Sequence, residues 1–174
     1  MKFNYYAFKA IYLHEMDRFR RTLGQSLLSP VISTSLYFIV FGSVIGGYVQ
    51  NIDGISYGSY IVPGLLMLTL LTQSISNTSF GIFFPKFNGT IYEILAAPIS
   101  TLEVVLAFVG AGATKTVIVG VMIFITSMFF VEVEVKYPLL MIFLLLLVSF
   151  TFALFGFLIG LVSKNFEQMS VIPS

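Results

Sequence analysis

The sequence predicts an all-α polytopic membrane protein, and three observations carry that prediction. Hydrophobic residues make up 57% of the 174 positions and charged residues only 10%, with a mean hydropathy of +0.98; an ordinary soluble domain has roughly 25% charged residues. Acids and bases are absent from 22–52, 54–85, 116–131 and 137–163, each a stretch of the kind that crosses lipid as a helix. Basic residues gather at the start, where Lys2, Lys9, Arg18, Arg20 and Arg21 all precede residue 22. The formal net charge of +1 gives no reason to expect a nucleic-acid partner. With no Cys, a disulfide, a thiol nucleophile and a thiolate metal site are all excluded.

Residues 1–26 are expected to form an amphipathic interfacial helix rather than a cleavable signal, because a signal needs a short basic stretch followed directly by an apolar core. Tyr5, Phe8, Tyr12, Met16, Phe19 and Leu23 recur at steps of three and four, one stripe of a helix. The basic residues lie mostly off that stripe, so the helix is read as lying along the membrane surface. The first span is expected over 27–49, about 34 Å at 1.5 Å per residue. Pro30 then falls near its start, where a missing N–H costs little, and Gly42 with Gly46 offers a small-xxx-small contact. A turn-rich stretch over 50–58 follows, with Tyr48, Tyr57 and Tyr60 as an interfacial cluster. The second span is expected over 59–83, with Thr69, Gln73, Ser76 and Asn77 on about one face.

Residues 85–100 are too polar to span. Gly89 and Pro98 bracket a short helix through Ile91 to Ala97, with Thr90 as its cap, Glu93 as an exposed charge and Ile91, Ile94 and Leu95 as an apolar face. The third span, 104–131, carries Lys115. Two readings of Lys115 stand: its stem lies along apolar surface with the ammonium reaching the cytoplasmic interface, or it faces a translocation path and meets an anionic group. After an acidic loop with Glu132, Glu134 and Lys136 comes the fourth span, 138–163. Four spans put both ends on one side, and the positive-inside bias places that side in the cytoplasm. The whole of 1–174 is thus read as a single transmembrane domain.

Four strings, in order and each at its membrane position, give the chain a family resemblance: LLSPVISTSLYFIVFGSVIG at 27–46, SYIVPGLLM at 59–67, GTIYEILAAPIS at 89–100 followed by Glu103, and FALFGFLIGLVSKNFEQ at 152–168. The chain resembles the transmembrane permease subunits of type-2 ABC exporters. The resemblance implies a six-helix permease of a prokaryotic cytoplasmic membrane, of which four helices are visible here, so the chain looks C-terminally incomplete. It further implies a homodimer enclosing the path and a cytoplasmic coupling helix docked on a separate ATP-binding subunit, which holds the ATP and Mg; this chain itself binds no cofactor. On that resemblance the docking residues are Gly89, Thr90, Ile91, Glu93, Ile94, Leu95 and Pro98. The polar face of the second span either lines a translocation path or hydrogen-bonds to neighbouring helices near the cytoplasmic interface, and the path candidates are Gln73, Asn77 and Lys115. The segment GAGATKT at 110–116 has the wrong glycine spacing for a phosphate-binding loop, and His14 has no second ligand at a metal spacing; neither catalytic nor metal residues are expected. A rival reading is a non-transporting assembly or regulatory subunit, or an inactive fragment of such a permease; a self-sufficient channel is a third.

Overall fold

A computed structural model describes residues 3–44, 51–52, 55–131, 133 and 135–171. Seven helices occur among them: α1 (Tyr5–Arg21), α2 (Leu23–Val44), α3 (Tyr57–Asn88), α4 (Ile91–Ala96), α5 (Thr101–Met128), α6 (Pro138–Val162) and α7 (Phe166–Val171). α2, α3, α5 and α6 are long and apolar enough to cross a membrane. Gly46, Tyr48, Glu132, Glu134 and the last three residues lie outside the described residues. Between α2 and α3 the expected turn region holds a two-residue antiparallel ladder, β1 (Asn51–Ile52) on β2 (Ile55–Ser56), pairing Asn51 with Ser56 and Ile52 with Ile55.

Local chemistry sets the helix ends. Asn4 caps α1 by accepting from the Ala7 amide, and Ser56 caps α3 by accepting from the Ser59 amide, each satisfying one of the otherwise unpaired first-turn donors. At α5 Ser100 and Glu103 form a reciprocal capping box. Gly89, at φ 79°, ends α3 in the left-handed conformation, which glycine adopts without a Cβ penalty. Only Thr22 separates α1 from α2, and its amide still bonds to the Arg18 and Phe19 carbonyls. The first span therefore starts four residues earlier than expected. Pro30 consequently sits inside α2 rather than in its first turn, and the amide bond it would otherwise make is missing there.

α3 is the central helix, packed most extensively against α6 and then α5. Small residues permit the approach: a Cβ at Gly156 would stand 2.5 Å from the Ile75 carbonyl oxygen, and one at Gly160 would stand 2.5 Å from that of Ser79 and collide with Ile82. Across the same seam the Ser74 hydroxyl donates to the Ser149 carbonyl at 2.6 Å. Near the α4 end, Lys86 donates to the Leu161 and Ser163 carbonyls at 2.6 and 2.9 Å, satisfying acceptors that the end of α6 leaves open. Phe166 of α7 stands edge-on to Phe83 and Phe87 and closes that corner.

Candidate functional site

α1 runs alongside the first half of α5, in the same direction, and three contacts mark the course. The Asn4 amide donates to Glu103 Oε1 at 2.6 Å, and its side-chain amide to the Pro98 carbonyl. Tyr12 and Thr114 hydroxyls meet at 3.0 Å. Because Thr114 gives its own proton to the Gly110 carbonyl, Tyr12 is the donor. Third, Lys115 Nζ meets Glu15 Oε2 at 2.8 Å, and Arg18 Nη2 meets the same oxygen at 2.7 Å. Glu15 is 2% exposed and Lys115 3%. Such a pair persists in apolar surroundings only when each charge has its partner. Arg18 is partly exposed and lies over the Phe80 ring, 5.3 Å from its centroid.

Beside this cluster is a cavity of about 510 Å³, lined among others by Arg18, Lys115, Ser76, Asn77, Gln25 and Ser26. Of the three path residues expected from the sequence, Asn77 and Lys115 thus come to one cavity, and Gln73 is joined to it through the hydrogen bond its side-chain oxygen accepts from Asn77. Neither reading of Lys115 foresaw Glu15. The sequence offered one signal: Glu15 lies three residues before Arg18 on the same helix face, within reach of ion pairing. Its main partner is 100 positions away, and periodicity carries no information over such a distance.

The docking residues divide between two faces of α4. Ile91 and Ile94 pack on a core cluster built from Ile82, Val104, Phe108, Val109, Ala153 and Phe157. Tyr92, Glu93 and Leu95 point outward, Tyr92 at 72% and Leu95 at 66% exposure. The apolar face expected to combine Ile91, Ile94 and Leu95 is therefore split, and Tyr92, which sequence reasoning passed over, joins the outward face. Thr90 stands at the cap position without making a side-chain cap bond; its hydroxyl reaches the Pro85 carbonyl instead. Gly89 and Pro98 lie just outside the two ends of α4.

The chain is similar to known permeases over nearly its whole length. An inner membrane transport permease, YadH, of Escherichia coli strain K12 is 36% identical over 168 residues, which is 97% of this chain and 66% of that protein. The permease of the same name from Shigella flexneri gives the same figures. Nodulation protein J of Azorhizobium caulinodans is 23% identical over 121 residues, covering 69% of this chain and 48% of that protein. The chain thus spans just under two thirds of the length of the permeases it matches. No solved structure matches it significantly. The profile of the ABC-2 type transporter family matches residues 6–174, and with four helices fit to cross a membrane the chain belongs to that family of multi-pass membrane permeases.

Proposed function

We propose that this chain is the membrane-spanning part of an ATP-driven exporter. Two copies face each other across the translocation path, and each docks through α4 on a separate ATP-binding subunit that carries ATP and Mg. The outward face of α4 is the observation that carries this reading. Tyr92, Glu93 and Leu95 project from a short helix whose other face is packed into the bundle, and whose far end is tied through Pro98 to Asn4. Force passes between bodies only through packed contacts, and a helix rooted in this way transmits a push where a loose loop would absorb it.

The cytoplasmic orientation of both ends of the chain is supported by charge. Lys9, Arg20, Arg21, Lys86 and Lys164 are all exposed and occur in the N-terminal helix, the α3–α4 corner and the segment after α6, whereas the opposite loops offer only Lys136. Gln73, Asn77 and Lys115 are the polar groups assigned to the path. The test uses the full-length permease assembled with its ATP-binding subunit. Glu93→Arg, together with Tyr92→Ala, is expected to lower permease-stimulated ATP turnover by about tenfold, equivalent to about 1.4 kcal/mol of lost contact. Unaltered assembly and turnover would show that α4 is not the docking element.

A further inference from the structure

The cavity beside α1 is lined by two cationic side chains and, among the described residues, by no acid. Lys115 carries three N–H donors and Arg18 five; one of each meets Glu15 Oε2, while Glu15 Oε1 is buried without a partner. Glu15 itself does not line the cavity, and neither does any other acid among the described residues. Asp17, the nearest acid along α1, pairs with exposed Arg20 instead. Two cations against one carboxylate leave a charge of +1 at the cavity wall. Lys115 is buried and Arg18 partly exposed, and an anion against the two would balance that charge.

Depth indicates where the anion comes from. α3 has 32 residues, about 48 Å of helix, against a hydrocarbon core of about 30 Å. Measured from Tyr57, Asn77 lies about 30 Å along the helix, in the half of α3 that leads to the headgroup layer at the α4 end. Phosphate esters are concentrated at that level. A volume of about 510 Å³ suits one headgroup, and the Ser26, Ser76, Gln25 and Asn77 side chains provide neutral hydrogen-bonding groups around the two cations.

We infer that the cavity between α1, α2, α3 and α5 is a binding site for one phosphate group, held by Arg18 and Lys115 with Asn77 beside them. Glu15 competes with the phosphate for both cations. The site does not depend on the transport reading, because it is assayed by binding alone.

The experiment uses purified, delipidated full-length permease in a neutral detergent. It is titrated in separate arms with dioleoyl phosphatidylglycerol, with dioleoylglycerol lacking the phosphate, and with inorganic phosphate, and bound lipid is counted by native mass spectrometry alongside the thermal shift. One phosphatidylglycerol is expected to bind at saturation, with dioleoylglycerol failing to compete. Arg18→Gln should weaken binding about fivefold, the equivalent of about 1 kcal/mol for one basic group near a phosphate. Asn77→Leu, which leaves the ion pair untouched, should weaken it by crowding the cavity. Glu15→Gln should strengthen it, which a purely structural role for Glu15 does not predict. A shift by inorganic phosphate equal to that of the lipid assigns the site to free phosphate; a shift by the lipid alone assigns it to a headgroup. Equal binding of the two lipids, or affinity unchanged in both Arg18→Gln and Asn77→Leu, overturns the assignment.

Discussion

Along the seam between α3 and α6 the helices meet through glycine, with Gly156 against the Ile75 backbone and Gly160 against that of Ser79. Along the junction of α1 with α5 they meet through polar groups, with Asn4 on Glu103, Tyr12 on Thr114 and Glu15 on Lys115. Lipid tails are as apolar as leucine, so two membrane helices gain little by hiding apolar surface from each other. The α3–α6 seam answers with close backbone approach and dense dispersion contact. The α1–α5 junction answers with a few directional contacts that fix register. The difference teaches that the two seams should fail differently: one when an atom is added, the other when a single charge is removed.

The largest effect is expected at the polar junction. Lys115→Met leaves Glu15 buried without its principal partner and should cost about 3–5 kcal/mol, as breaking a buried pair does, read from the unfolding midpoint of the full-length protein in detergent. The Glu15→Gln, Lys115→Met double variant should recover most of that loss; a double variant as unstable as the single one would show that the ion pair is not what holds α1. At the glycine seam, Gly160→Ala adds one carbon where the Ser79 carbonyl already stands, and overpacking of that kind costs about 1–3 kcal/mol. Trimming the neighbour should not rescue it: a smaller residue at Ile82 relieves only the side-chain part of the clash, so Gly160→Ala, Ile82→Ala should remain well below the parent. Ser100→Ala removes the α5 cap and should cost about 1 kcal/mol, visible as faster amide exchange confined to the first turn of α5 and the Asn4 end of α1. The smallest change is expected for Ser74→Ala, about 0.6 kcal/mol for an interhelical hydrogen bond in a membrane protein. A larger loss there would mean that the glycine seam also depends on polar contact.

What the sequence made legible was local. Charge-free stretches located α2, α3 and α6 because an ionisable group at the bilayer centre costs several kcal/mol, whereas α5 had to be read through Lys115, and Gly89 with Pro98 marked out α4 because they stop helices on either side of it. Ends were less legible. A single residue, Thr22, separates α1 from α2, and the glycine beside the break, Gly24, falls inside α2, so composition places the start of the span later and Pro30 near it. Contacts far apart in sequence were not legible at all. The Glu15 partner, the passage of α1 beside α5 and the inward turn of both Ile91 and Ile94 all depend on which helix lies next to which, and hydrophobic periodicity gives a face without naming its neighbour.

Lys86 also bears on how the protein is made. Its two carbonyl partners are 75 and 77 positions further along the chain, so during synthesis α3 emerges well before α6 exists. On the proposed orientation, its charge favours keeping that end of α3 in the cytoplasm. Once α6 arrives, the same group caps it and the Phe166 ring can settle against Phe83 and Phe87. One side chain thereby ties the end of α3 to the end of α6 across 75 and 77 positions of sequence.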